Sequence, residues 1–382
     1  MLKIREVLLA KIETTYGIDP GLTGAANAIL VENLAWSHEG ARMHERNPIK
    51  SSMAPLKPVF GGTLKAISFE VEIKGSGTAD VPPELGVLLR GCRFAEATNA
   101  GVSVVYAPAS GANASLTLHY YQDGVLHVLT GARGKVTFNC ETGAPGKASF
   151  NFTGHTKMRG TAVSATSTTI VLPSTFSATD DVYNGRTLRI TAGIGLGQSK
   201  SIADYTGATK TCTVTTWTTT PDSTSIFEID NGPIDTALAT PTYSAIVPVP
   251  LIAVPFSVDS YAAVISKLAF DMGLNLVTPP DISSPDGFGE LRIVGRKLTG
   301  SFDPEAVLVA THDFHGKWKA GNAMALDTGQ IGTTAGNRYR IQMPGISYTG
   351  VGKGDRDGIT VYETPFMAAE TGTDNEVSLT FS

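Results

Sequence analysis

Two histidines three residues apart, His312 and His315, are the first residues whose spacing could serve chemistry, since a helix would place both imidazoles near one face. A metal site needs a third ligand, and none is adjacent. Residues 193–198 lack the last glycine of a dinucleotide-binding loop and lie between strand-like runs. Asp355 and Asp357 have the spacing of a calcium loop without its final glutamate. The sequence therefore predicts no metal site and no cofactor here.

The carboxylate pair Glu70 and Glu72 is the remaining candidate for acid–base chemistry of the glycoside hydrolase kind. Both alternate with apolar residues along 64–74, which places them on the exposed face of a strand rather than in a cleft. The cysteines Cys92, Cys140 and Cys212 have no CxxC spacing, and their neighbouring residues are not those typical of a catalytic cysteine. We expect them to be buried thiols. An enzyme, such as a glycan hydrolase, is therefore disfavoured, and no catalytic residue is predicted.

Composition excludes several other classes of protein. The 382 residues carry a net charge of −5, and 42% of them are hydrophobic while only 17% are charged, which is typical of a folded chain. The net negative charge gives no excess of basic residues for binding nucleic acid. No stretch approaches the roughly 20 apolar residues of a membrane helix, and no secretory cleavage signal follows the first residues. We expect a soluble protein made in the cytoplasm.

The elements that must position any site are mostly strands. Residues 64–74 alternate apolar and polar side chains, and Asp123-Gly124 between two strand-like runs predicts a hairpin. Helical patterns are limited to residues 82–92, residues 304–319 and, marginally, the first eight residues. The predicted fold class is mainly β, a β-sandwich or partial barrel with one or two flanking helices.

One segment differs in amino-acid composition from the rest of the chain. Ser and Thr make up 26 of the 74 residues in 159–232, which has its own rhythm of strands and turns. We predict a small all-β domain inserted into a larger one, with the core divided into residues 1–158 and 233–382.

Charge is unevenly distributed along the chain. Residues 353–382 hold 2 basic and 6 acidic residues, a local balance of −4. Residues 38–65 hold five lysines or arginines against two glutamates and are predicted to form a long polar loop. The members of this basic stretch are Arg42, Arg46, Lys50, Lys57 and Lys65.

A set of short motifs follows in order along the chain, at residues 10–20, 24–29, 68–77, 85–92, 123–127, 130–134 and 354–359. Taken together, these motifs resemble the major tail tube protein of long-tailed, non-contractile bacteriophages. The resemblance covers about residues 1–158 and 233–382, and 159–232 is similar to a β module that recurs as an insert in phage structural proteins.

The resemblance implies six subunits in a ring, rings stacked into a tube, and a β-lined channel. It also implies the partners: the chain itself, a tape-measure protein during assembly, tail-tip and terminator proteins, and genomic DNA that passes through without specific binding. The location implied is the virion tail, with no membrane contact. An insert between core strands is expected on the tube exterior, where it could aid attachment to the host surface.

The basic loop corresponds to the region that, in this family, reaches toward the neighbouring ring. The predicted inter-ring residues are Arg42, Arg46, Lys50 and Lys57 on one side and Asp355 and Asp357 on the other. A tail-tip or receptor-binding module that forms a discrete oligomer is the alternative function.

Overall fold

A computed structural model of the chain describes residues 5–382, and these are mainly strand. The three helices are α1 (Gly24–Asn27), α2 (Gly86–Gly91) and α3 (Phe314–Ala320). The strands, in chain order, are β1 (Glu6–Ile12), β2 (Ala28–Ile29), β3 (Glu32–Glu39), β4 (Met43–His44), β5 (Val59–Phe60), β6 (Leu64–Glu72), β7 (Phe94–Asn99), β8 (Ser103–Pro108), β9 (Leu116–Gln122), β10 (Val125–Glu141), β11 (Lys147–His155), β12 (Lys157–Thr161), β13 (Ser164–Ala165), β14 (Thr169–Val171), β15 (Thr187–Ala192), β16 (Ser199–Thr206), β17 (Thr211–Val214), β18 (Ile226–Asp230), β19 (Ile234–Asp235), β20 (Ser257–Val258), β21 (Lys267–Asp271), β22 (Asn275–Val277), β23 (Arg292–Gly295), β24 (Thr299–Phe302), β25 (Met324–Asp327), β26 (Tyr339–Tyr348), β27 (Gly352–Arg356), β28 (Ile359–Ala368) and β29 (Ser378–Phe381).

The larger sheet is antiparallel and curls into a barrel. Its pairing order is β3-β6-β11-β10-β21-β24-β28-β26-β29-β8-β7. The first half of β10 also pairs with β9, which continues to β1 and β2. The predicted mainly β class is confirmed, with three short helices instead of one or two.

The longest strand, β10, joins two parts of the barrel because it bends at Gly131. There the backbone adopts φ +60°, and a Cβ atom would lie 2.8 Å from the ring of Tyr16. The pairing register with β9 and with β11 shifts at this bulge. Before the bend, the predicted hairpin is confirmed: Gln122 pairs with Val125, and Asp123 and Gly124 both have positive φ.

The barrel core is formed by the inward residues of these alternating strands. Phe69, Phe150 and Phe152 stack on neighbouring strands with ring centroids 5.7 to 6.1 Å apart. Leu88 and Leu89 of α2 are fully buried in the same core, which confirms the apolar face predicted for residues 82–92.

A second sheet has seven strands in the order β12-β18-β15-β16-β17-β14-β13. It encloses its own apolar cluster, to which Ile18, from the segment after β1, also contributes. Its first strand, β12, follows directly on β11 and pairs with its last strand in chain order, β18. The points at which the chain enters and leaves the second sheet therefore lie close together. The cluster includes Ile170, Tyr183, Leu188, Ile190, Tyr205 and Phe227.

Two predicted helices are wrong in whole or in part. From Glu6, the first residues form strand β1, which pairs with β9 over seven positions, and residues 1–4 lie outside the described part. The apolar run Val7 to Ala10 is buried on both faces, a pattern that suits a strand covered on both sides. In the segment 304–319, α3 begins only at Phe314, after Asp313 caps it by accepting a hydrogen bond from Gly316 N.

Candidate assembly surfaces

One face of the barrel sheet is polar and exposed, while the opposite face packs into the core. Glu70, Ser149, Thr137, Asp271 and Thr299 lie opposite one another across five neighbouring strands. Their sequence neighbours point into the core because strand side chains alternate. The polar face comprises Glu32, Ser68, Glu70, Glu72, Lys135, Thr137, Asn139, Glu141, Lys147, Ser149, Asn151, Lys267, Asp271, Thr299 and Ser301.

The polar face carries a small negative charge. Five carboxylates and three lysines give 3 − 5 = −2. Lys147 lies 2.7 Å from Glu32 and 3.7 Å from Glu70, so part of the charge is paired across strands. Both pairs are exposed and contribute little to stability. Such a surface offers no basic track to hold phosphates.

The barrel sheet that carries the polar face has open edges, of which β3 and β27 are two. Within residues 5–382, β3 pairs only with β6, β7 only with β8, and β27 only with β28. Unpaired edges present backbone donors and acceptors that another chain can use. The eight residues of β3 are mostly exposed and contain no proline.

The arm, residues 40–62, leaves the sheet between β3 and β6 and differs from the predicted polar loop. Strands β4 and β5 form a short ribbon at its base. Ile49 and Met53 are 106% and 104% exposed, so nothing in residues 5–382 of their own subunit covers them. Met43, Val59 and Phe60 are more than half exposed as well. The arm is therefore apolar as well as basic.

The base of the arm is held firmly by the loop before β23. The Arg42 guanidinium lies 4.0 Å from the Phe288 ring centre and donates to Gly287 O at 2.9 Å. Gly62 has φ +104°, and a Cβ there would lie 2.0 Å from Asp286 O. His155 Nδ1 lies 2.8 Å from Asp286 Oδ2; burial would raise the pKa of Asp286, but this hydrogen bond leaves it lowered.

Strands β27 and β28 form the acidic hairpin, with Asp357 and Gly358 at the turn, both at positive φ. Asp355 and Asp357 are exposed. Arg356, between them, turns back to the barrel, with Nη2 3.4 Å from the Asp303 carboxylate. The exposed charges of the hairpin are thus Lys353 and the carboxylates of Asp355, Asp357 and Glu363, which leaves its outer surface acidic.

The arm and the acidic hairpin lie at opposite ends of the barrel strands. At the arm end, Glu39 pairs with Leu64, and Lys65 pairs with Gly154. At the other end, Glu141 pairs with Lys267, and the hairpin extends beyond the pairing of Phe302 with Thr364. The two charged surfaces therefore cannot meet within one subunit.

A buried ionic junction joins the second sheet to the barrel. Arg186 of the second sheet and Asp19 of the segment after β1 are both fully buried, with Nη2 3.0 Å from Oδ2. His119 Nε2 lies 2.8 Å from the same oxygen, and Arg186 Nη1 donates to Asn231 Oδ1 at 2.6 Å. Burial would raise the pKa of Asp19, but His119 and Arg186 together hold it well below its usual value.

A second buried carboxylate, Glu13, lies near the junction without a cation. Its oxygens accept from Ser115 Oγ at 2.6 Å, Thr117 Oγ1 at 2.8 Å and Gly131 N at 2.7 Å. Burial raises the pKa of Glu13 to about 7, although these hydrogen bonds oppose the shift. Its partners join β1, β9 and the bend of β10, which indicates a structural role.

A protein-family model described as phage tail tube protein matches residues 4–209, more than half of the chain. The chain belongs to the phage tail tube protein family. Membership gives it a structural role: it assembles with itself into the tube of the virion tail. A comparison with curated proteins found no match. None of the helices within residues 5–382 is long and apolar enough to cross a membrane.

The family match includes part of the second sheet of this tail tube protein, up to residue 209, and not residues 210–382. The resemblance predicted from the sequence is thus confirmed for the family. The proposed boundaries of an inserted domain are not tested by it and remain a prediction.

The predicted interface residues of the tail tube protein fall into two groups. Arg46, Lys50 and Lys57 are exposed and form no ion pair within residues 5–382, as an inter-subunit role requires. Arg42 is instead half-buried against Phe288 in its own subunit. Asp355 and Asp357 are exposed at the opposite end.

Lys65, the last member of the basic stretch, does not belong to a loop. It lies in β6 and is 2% exposed, with Nζ 3.3 Å from His127 Nδ1. Burial lowers the pKa of Lys65 to about 8. Burial, and then the nearby Lys65, lower the pKa of His127 to about 4.

The buried junction was not predicted from the sequence. Asp19 and Arg186 are 167 positions apart, and each lies in a turn-rich segment typical of exposed charges. The sequence offered one indication of their importance. Asp19 lies within residues 10–20, which carry the family resemblance, and Arg186 lies within residues 159–232, which resemble the recurring β insert.

Proposed function

We propose that this tail tube protein forms hexameric rings that stack into a tube, with the polar face toward the channel through which DNA leaves the virion. The observation that carries the proposal is one sheet with an apolar core side, a polar side of charge −2 and open edges at β3 and β27. A wall of this kind is hydrated and does not retain phosphates.

Ring closure follows from these two open edges. Pairing of β3 of one subunit with β27 of the next would continue the sheet around the channel and satisfy both sets of backbone groups. A head-to-tail contact of this kind closes into a ring when its rotation divides a full turn. A tape-measure protein inside the growing tube, and tail-tip and terminator proteins at its ends, are the partners this assembly needs.

The second sheet, proposed as an inserted domain of residues 159–232, lies outside the tube wall in this assembly. A channel that DNA fills has no room for a seven-stranded sheet. Its exposed surface could contribute to weak attachment at the host surface. In a cross-section of the tube, we expect its density as six protrusions on the outside and none in the channel.

Charge reversal on the polar face should slow DNA exit without preventing tube assembly. The triple variant Glu70→Lys, Glu72→Lys, Asp271→Lys changes the charge of this face from −2 to −2 + 6 = +4. Because each lysine can then neutralise a phosphate, we expect ejection from purified virions to slow by about ten-fold or more, and the effect to weaken as salt rises.

The matched control for this experiment is a charge reversal on the second sheet at Asp204, Asp222 and Asp230, all exposed. It should leave the ejection rate unchanged. Equal rates for both variants and the wild type at low salt would show that the polar face does not line the channel.

Between rings, we propose that the basic arm meets the acidic hairpin of the next ring. Replacing Arg46, Lys50 and Lys57 with Glu should shorten tubes, because like charges then face each other. Adding Asp355→Lys and Asp357→Lys in the same chain should restore their length. Tube length by electron microscopy at several salt concentrations measures both effects; no change in length or in salt dependence would contradict this contact.

A further inference from the structure

We propose that an apolar groove at the acidic-hairpin end of one subunit receives Ile49 and Met53 from the arm of a second copy of this chain. The inference rests on the proposed stacking of rings and identifies the receiving surface. Neither the family match nor the charge argument gives a role to the side chains of Ile49 and Met53.

The groove lies between residues 251–256 and 263–268 and has a volume of about 340 Å³. Its lining is mostly aliphatic and aromatic, and Ile252 and Val264 on its rim are 67% and 55% exposed. Its larger apolar residues also include Leu251, Val254, Phe256, Ile265 and Leu268. Exposed apolar surface gathered in a concave site is typical of an interaction surface.

The position of the groove matches that of the arm. Thr142 follows β10, Ser266 precedes β21, and Thr142 N donates to Ser266 O at 2.9 Å at the edge of the groove. This is the strand end at which Glu141 pairs with Lys267, opposite the end from which the arm leaves. Copies stacked in one orientation along the strands therefore bring the arm of one to the groove of the next. Such a head-to-tail contact continues indefinitely instead of closing.

The charges around the groove favour the same occupant. Glu305 N donates to Val264 O at 2.9 Å, so this glutamate borders the groove, and Val361 of the acidic hairpin lies beside Glu305. The arm carries Arg46 and Lys50 on either side of Ile49. Asp303 also borders the groove, because its carboxylate accepts from Ser266 N and Lys267 N at 2.9 Å, while Lys267 itself belongs to the lining. Apolar side chains flanked by cations thus face an apolar groove bordered by two carboxylates and one lysine.

Disulfide cross-linking tests this contact directly. The three native cysteines are buried, so a variant with Met53→Cys and Ile252→Cys has one new pair of accessible thiols. After oxidation of assembled tubes, we expect a ladder of covalent multimers in denaturing electrophoresis, because every copy bonds to the next. The matched control combines Met53→Cys with Leu196→Cys, since Leu196 is exposed to the same 67% on the second sheet; it should give no ladder.

A second comparison uses Ile252→Asp and Leu196→Asp. The first should raise the protein concentration needed for tube formation by about ten-fold or more, and the second should leave it unchanged. Wild-type-length tubes with no ladder, or equal effects of the two aspartate variants, would overturn the groove as the receiving site while leaving the tube proposal intact. Failure of the wild-type protein itself to form tubes would overturn both.

Discussion

Replacing Arg186 with Met should lower the free energy of unfolding by about 3–5 kcal/mol, because it leaves the Asp19 carboxylate buried beside the barrel without its guanidinium partner. The loss of charge-assisted hydrogen bonds to Asp19 and Asn231 also weakens the contact between the second sheet and the barrel. Denaturant unfolding of the unassembled subunit, followed by the fluorescence of the buried Trp217, measures the change.

The matched control is Arg189→Met, three residues along the same strand region but exposed, which should stay within about 0.5 kcal/mol of the wild type. A double-mutant cycle adds Asp19→Asn, which should cost less in the Arg186→Met background than alone. If Arg186→Met and Arg189→Met have equal effects, the junction does not hold the two sheets together.

This junction also changes how removal of the second sheet must be interpreted. Excising residues 159–232 removes Arg186 together with Asn231 and leaves the Asp19 carboxylate with His119 but without its guanidinium partner. Loss of tubes after such a deletion would then report a damaged subunit and not a function of the domain. An excision combined with Asp19→Asn separates the two effects.

Removing residues 46–57 of the arm should abolish tube formation and leave the subunit folded. Ile49 and Met53 are fully exposed in the described part of the subunit, and the base of the arm stays attached through Arg42 and Phe288. Sedimentation and negative-stain microscopy should therefore detect folded rings or monomers with an unchanged melting temperature and no tubes longer than a few rings.

The corresponding point variant is Ile49→Lys with Met53→Lys, and its matched control is Ile194→Lys with Leu196→Lys on an exposed turn of the second sheet. Only the arm variant should lose tubes. Tubes of normal length in the arm deletion would show that the arm does not join rings.

The alternating strands were predictable from the sequence because one periodicity dominates locally. In β6, Phe69 and Val71 are buried while Glu70 and Glu72 are partly exposed, as their alternation indicated. The hairpin at Asp123-Gly124 was equally predictable from the sequence, since few other residue types favour two successive positive φ angles.

Other features depend on contacts far along the chain and were not predictable. The run Val7 to Ala10 is too short to distinguish helix from strand, and its pairing with β9, more than 100 positions later, decides the matter. Lys65 appeared to belong to a basic loop, but its strand pairing buries it. The apolar character of the arm depends on Ile49 and Met53 having no partner, which only the fold reveals.

The polar face is an intermediate case. Its residues could be assigned to exposed sides of single strands from their alternation, but their alignment across five strands follows from register, which the sequence does not specify. The same holds for the opposite placement of the arm and the acidic hairpin.

Electron microscopy of the purified full-length protein tests the central claim most directly. We predict helical tubes of stacked rings with an open channel, six-fold cross-sections and extra density outside the wall. Closed small oligomers, as expected of a tail-tip or receptor-binding module, or dispersed monomers at concentrations well above those needed for assembly, would contradict the account.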